Sequence, residues 1–186
     1  MTEIENKYET LLNNVKTTVY EGILKLGLAK GESFGIYYEQ DLLNYFLGKD
    51  CESGSDMITE LDGFGMFAKE RQIPLSISHQ GSRFRFLVAA EGVSYIKEYS
   101  PSSNFLKELI DLAGTHTFCL EQILAVFKNS GKEYTVREVE NPEFEYVIAF
   151  TDRDFDPYLY CFHFEQGHGH YHRLLEYSYK KLFEEE

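Results

Sequence analysis

Leu75-Ser-Ile-Ser-His-Gln-Gly-Ser-Arg-Phe-Arg-Phe-Leu-Val88 is the stretch on which the fold turns. Leu75 and Ile77 alternate with Ser76 and Ser78, and Phe84, Phe86 and Val88 alternate with Arg83 and Arg85. Apolar residues at a period of two mark a half-buried strand, and two such runs joined by a Gly-containing turn make a β-hairpin. The turn is expected at His79-Gln-Gly-Ser82.

Upstream of Pro74 the period changes from two to three and four. Residues 55–72 read as a helix with an N-cap at Ser55 or Asp56, although Gly63 and Gly65 weaken its middle. Glu39 to Leu47 reads as a second helix closed by Gly48, and Phe34 to Tyr38 as a short strand. Ile4, Tyr8, Leu11, Leu12, Val15, Val19, Ile23 and Leu26 give residues 3–27 one apolar stripe, in a helix ended by Gly27 or Gly31. A short helix, Glu91 to Tyr99, follows the hairpin before Ser100-Pro-Ser-Ser103.

Downstream the plan recurs in order though not in residue identity. Asn104 to Ala113, capped by Ser103, and Phe118 to Asn129 read as helices around the tight turn Thr115-His-Thr117. Tyr134 to Val139 and Phe144 to Thr151 read as a second hairpin, turning at Glu140-Asn-Pro-Glu143. Helix, turn, helix and hairpin, twice over, predict an α+β protein of two winged-helix-like units packed together. The first unit covers residues 1–100 with the long N-terminal helix, and the second covers 101–186. The second carries an addition: strands Tyr158 to Glu165 and His168 to Arg173, then a helix from Leu174 to Phe183.

That added hairpin concentrates reactive side chains. Four of the six histidines and one of the three cysteines lie between Cys161 and His172. A turn at Gln166-Gly167 would pair Glu165 with His168, His163 with His170 and Cys161 with His172. Opposed residues share a face about 5 Å apart at Cβ. Cys161, His163, His168, His170 and His172 are therefore the candidate metal ligands, with Zn²⁺ or another divalent transition metal as the occupant. Imidazole nitrogen and thiolate sulfur suit Zn²⁺ in tetrahedral sets. A flat stripe spreads such ligands too widely, so a further ligand would have to come from a helix or loop. The alternative is a solvated strand face, and Phe162 and Phe164, of opposite parity, would pack inward.

Other motifs carry less. Gly31-Glu-Ser33-Phe-Gly35 spells G-x-S-x-G, yet a nucleophile elbow needs a strand before and a helix after, and the order here is inverted. Gly63-Phe-Gly65-Met-Phe-Ala68 fits a dinucleotide fingerprint by letter but lacks the preceding strand. Close helix packing accounts for its glycines. Asp152, Asp154 and Asp156 imitate a calcium loop, whose sixth and twelfth positions hold Pro157 and His163 instead of Gly and Glu. A turn rich in solvated carboxylates is expected there. Cys119 is expected to be a buried structural thiol between Phe118 and Leu120.

Composition narrows the function classes. Of 186 residues, 43% are hydrophobic, enough for a real core, and the net charge is −13. Such a surface repels phosphate backbones and anionic membranes. A DNA-binding alternative rests on Lys69, Arg71, Arg83 and Arg85 around the first hairpin, whereas arginines protecting an edge strand are the plainer account. No stretch is apolar enough to span a bilayer, and three dispersed cysteines make no disulfide framework, so a reduced cytoplasmic setting is expected. No cofactor beyond a metal is expected.

Three segments carry a likeness. Phe105 to Leu112 with Leu120 to Phe127, Ile77 to Phe84, and Tyr160 to Gly167 with Tyr171 to Arg173 resemble a bacterial domain-of-unknown-function family. The likeness covers most of the chain and brings no activity or residue role with it. At the level of architecture alone, the chain is similar to the acidic tandem winged-helix subunits of bacterial chromosome-segregation complexes, which grip protein partners. The expectation is a non-catalytic protein–protein interaction module, binding another protein or a second copy of itself.

Overall fold

The computed structural model describes residues 2–27, 31–99, 104–115, 117–165 and 168–184. The chain is α+β, with helices and two antiparallel sheets falling into two compact units, Met1–Pro101 and Ser102–Glu186. The expected turn residues Gln166 and Gly167, the linker 100–103 with its cap Ser103, and His116 lie outside the described residues.

The first unit runs α1 (Glu3–Leu26), β1 (Phe34–Glu39), α2 (Gln40–Leu47), α3 (Gly54–Glu70), β2 (Leu75–Gln80), β3 (Arg83–Val88) and α4 (Ala90–Tyr99). A capping box starts α1: Thr2 Oγ1 accepts from the Glu5 N–H, and the Glu5 carboxylate accepts from the Thr2 N–H at 2.6 Å. Gly27, at φ +62°, ends it in the left-handed conformation that glycine adopts without steric cost. The loop between α2 and α3 is tied down by amides. Gln40 and Asn44 both donate to the Cys51 carbonyl, and the Cys51 N–H donates back to Asn44. Ser53, not Ser55 or Asp56, caps α3, since its hydroxyl accepts from the Asp56 N–H.

The first hairpin forms in the expected alternation but is tighter. Its strands extend to Gln80 and from Arg83, leaving Gly81-Ser82 as the turn. β1 joins it on the far side of β3, so the sheet order is β1-β3-β2. Ile36, Tyr38, Phe84, Phe86 and Val88 face inward and are buried with Leu11, Leu12, Val15 and Val19 of α1 and Phe64 of α3. The Phe64 and Phe86 rings meet at 5.8 Å and those of Tyr38 and Phe86 at 4.8 Å. Of the two helix glycines, Gly63 answers the packing expectation, because a Cβ there would lie 2.7 Å from the Tyr8 hydroxyl. That hydroxyl donates to the Glu60 carbonyl at 3.0 Å, locking α1 against α3. Gly65 faces open space and has no such reason.

The second unit runs α5 (Asn104–Ala113), α6 (Leu120–Asn129), β4 (Tyr134–Glu138), β5 (Tyr146–Phe150), β6 (Tyr158–Glu165), β7 (His168–Leu175) and α7 (Glu176–Phe183). Its four strands form a meander in sequence order, so the second and third expected hairpins are parts of one sheet. The strict alternation of β5 and β6 sorts side chains to two faces. On one face Phe150 and Tyr160 pack under α5 and α6. The ring of Phe127 sits 4.8 to 5.4 Å from those of Phe105, Tyr134, Phe150 and Tyr160. On the other face Val147, Leu159 and Cys161 form a second core with Phe144 and with Tyr179 of α7. The two units are thus not copies: the first has a strand between its leading helices, and the second covers both sheet faces.

Candidate functional site

The β6–β7 ladder has the register that the alternation predicts. Cys161 lies opposite His172, His163 opposite His170, and Glu165 opposite His168. All share the sheet face that α7 partly covers, and that coverage divides the stripe. At one end Cys161 is fully buried against Tyr179, Phe144 and Val147. Burial pushes its thiol up to about 12, against a smaller opposing pull from Arg137. Across the ladder on β7, His168, His170 and His172 are exposed, His172 directly opposite the buried Cys161. His163, two residues along β6 from Cys161 and opposite His170, is half-buried, with its Nδ1 inaccessible, making no hydrogen bond and 3.9 Å from Glu145 Oε1. Among the described residues no group of three or more His, Cys, Asp or Glu side chains is arranged to hold a metal ion. The hairpin brings the residues onto one face, where the thiol is buried with Tyr179 of α7 and the three β7 imidazoles stay exposed.

Cys119 departs from expectation. It precedes α6 as the N-cap, its N–H donates to Gln122 Oε1 at 3.0 Å, and its thiol is exposed instead of buried. Alternation explains the difference, since Phe118 takes the inward position and sits on Gly169 of β7. Cys51 is half-buried, its thiol raised first by burial and then by the charges of Glu60 and Asp56. In the folded protein at pH 8, iodoacetamide should therefore label Cys119 first, Cys51 more slowly, and Cys161 at least about a hundredfold more slowly than Cys119. Peptide mass spectrometry reads the order. Labelling of Cys161 at the rate of Cys119 would contradict its placement.

The aspartate turn is an internal brace. Asp156 accepts from the Tyr158 N–H at 2.9 Å and the Tyr160 hydroxyl at 2.8 Å, and burial raises its carboxyl despite both bonds. This carboxylate is therefore not the solvated group expected from sequence. Arg153 in the same turn donates to the Pro157 and Tyr158 carbonyls.

The four cations of the first hairpin sit in separate settings. Arg71 lies 3.4 Å over the Phe67 ring and donates to Glu9 at 3.0 Å. Arg83 lies 4.6 Å over the Tyr37 ring and 3.9 Å from Glu39. Arg85, opposite Tyr37 in the ladder, covers Gly35 on the outer sheet face. Lys69 is exposed near the end of α3. The sequence reading missed the solvent face of α3 itself. Thr59, Asp62 and Met66 are exposed there, Met66 at 69%. Their spacing of three and four residues was the available signal.

No helix among the described residues is long and apolar enough to cross a membrane. A family model, "Domain of unknown function, E. rectale Gene description (DUF3877)", matches residues 8–183. No curated protein and no solved structure matches the chain.

Proposed function

The chain belongs to the DUF3877 family, and from its own surface we propose that it is a non-catalytic protein–protein interaction module whose first unit is a winged helix. The succession α1-β1-α2-α3-β2-β3 with sheet order β1-β3-β2 supports the winged-helix reading. The second unit keeps helix, helix and hairpin in order and extends the hairpin into a four-stranded sheet.

One observation carries the functional reading. In a DNA-binding winged helix the second helix of the helix-turn-helix enters the major groove and passes close to phosphates. Here that helix is α3, which has no Lys or Arg from Gly54 through Ala68. It presents Asp56 and Asp62 to solvent, with Thr59 and Met66 between and beyond them. Carboxylates there oppose a phosphate backbone, whereas an exposed, flexible methionine rimmed by polar groups suits contact with another protein. Of the arginines nearby, Arg71 is held by Glu9 and the Phe67 ring, and Arg83 lies over the Tyr37 ring within 3.9 Å of Glu39.

Fluorescence anisotropy with a labelled duplex of about two helical turns tests the exclusion. At low salt, about 50 mM, no saturable binding is expected. Binding with a steep salt dependence, lost on Arg83→Glu with Arg85→Glu, would overturn the reading in favour of DNA.

A further inference from the structure

Between the α7 face of the sheet and α7 itself lies a cleft of about 470 Å³, within the range of small-molecule sites. Its apolar lining is narrow: Ala149 is half-buried, and Val147 and Leu159 are only 2% and 7% exposed. Cations crowd its walls: Arg137 from β4, Arg153 from the aspartate turn and Lys180 from α7. Glu176 and Glu184 are the carboxylates among its lining residues, so the cleft has a cation in excess inside a chain of net charge −13.

The cations differ in what they have left to give. Lys180 is bound to Glu176 at 2.8 Å. Arg153 is held rigid by the Pro157 carbonyl at 2.7 Å and the Tyr158 carbonyl at 3.0 Å, and its guanidinium reaches Glu176 only at 3.8 Å. A guanidinium has five N–H donors, so two carbonyls do not exhaust it. Arg137 forms no hydrogen bond and no ion pair within 4.0 Å among the described residues, while its charge is felt at Glu176 and Tyr179. Thr135 stands beside it in register with Ala149, its hydroxyl donating to the Ala149 carbonyl at 3.4 Å. A preorganised guanidinium, a second one without an ion pair and a small apolar lining together select a charged group carrying a short apolar body.

We propose that this cleft binds a small organic anion, a carboxylate or phosphate ester with a short apolar body, whose head meets Arg137 and Arg153 and whose body lies against Ala149. The site is separate from the α3 surface, and the two readings stand or fall independently.

Titration calorimetry with octanoate and with octyl phosphate tests it, using octanamide as the neutral control. The wild-type chain should bind one of the anions saturably with one site per chain, and octanamide at least about tenfold more weakly. Arg137→Gln should weaken the anion about tenfold or more, and Thr135→Phe, on an exposed strand position, should block the mouth without disturbing the core. Lys25→Gln on α1, outside the cleft, should change nothing. Amide chemical-shift changes confined to Thr135, Arg137, Ala149 and α7 would place the ligand. No saturable binding of either anion up to about 10 mM would overturn the proposal. So would binding that Arg137→Gln and Thr135→Phe leave unchanged.

Discussion

Phe127→Ala is expected to lower the free energy of unfolding by about 3–5 kcal/mol, the range for emptying an aromatic site in a core that cannot collapse around it. Phe127 is fully buried, and its ring touches those of Phe105, Tyr134, Phe150 and Tyr160, which come from α5 and three strands. Those neighbours also brace one another, as Phe105 does with Phe150 at 4.8 Å and Tyr160 at 5.5 Å, so none is free to swing into the gap. A loss of that size approaches the whole stability of a typical domain. Leu182→Ala is the matched control, since Leu182 is 62% exposed and should change stability by no more than about 0.5 kcal/mol. Urea unfolding followed by circular dichroism separates the two. A Phe127→Ala loss below about 1 kcal/mol would mean that the ring cluster does not anchor α6 to the sheet.

Gly169→Val is expected to be nearly as damaging for the opposite reason, overpacking. Gly169 is buried under the ring of Phe118, and a Cβ built on it would come within 2.5 Å of Phe118 Cζ. Phe118 is itself 3% exposed and meets the Phe164 ring edge-on at 5.8 Å, so the clash must expel a buried ring or part β7 from β6. Inserting groups into a packed site costs typically about 1–3 kcal/mol, and a branched side chain against an aromatic ring belongs at the upper end. The double variant Gly169→Val with Phe118→Ala supplies the decisive comparison. Removing the ring opens room for the valine, so the pair should be less destabilised than the sum of the singles by at least about 0.5 kcal/mol. Additive losses would show that the two residues do not touch.

Gly169 also illustrates what could be read ahead of the structure. The hairpin register was legible because Phe162 and Phe164 alternate with Cys161, His163 and Glu165, and a slip of one residue would bury the polar set. The alternation at 75–88 and the stripe of α1 were legible for the same reason, a period matched to one buried face. What the chain did next in space was not. Tyr179 and Phe183 mark an apolar side of α7, but nothing local says that this side returns over Cys161 and Val147. That return buries the thiol, leaves His168, His170 and His172 exposed, and creates the cleft beside Arg137. In the same way, the exposure of Cys119 follows from Phe118 having the better claim on the space above Gly169, a contact between residues about fifty positions apart. Pairing of β1 with β3 was likewise invisible, since a short strand between two helices does not name its neighbour.

The charge pattern of α3 has the most direct bearing on the proposed function, because in the proposed winged-helix arrangement α3 is the surface that meets the target. The central claim is that this surface meets protein. Placing a photo-crosslinking benzoylphenylalanine at Met66, and separately at Lys97 on α4 as a distant exposed control, tests it in the cells the chain comes from. The account predicts a discrete polypeptide adduct from position 66 that is absent from position 97 and is lost when Asp62→Arg is added. Adducts to nucleic acid, or no adduct specific to position 66, would contradict it.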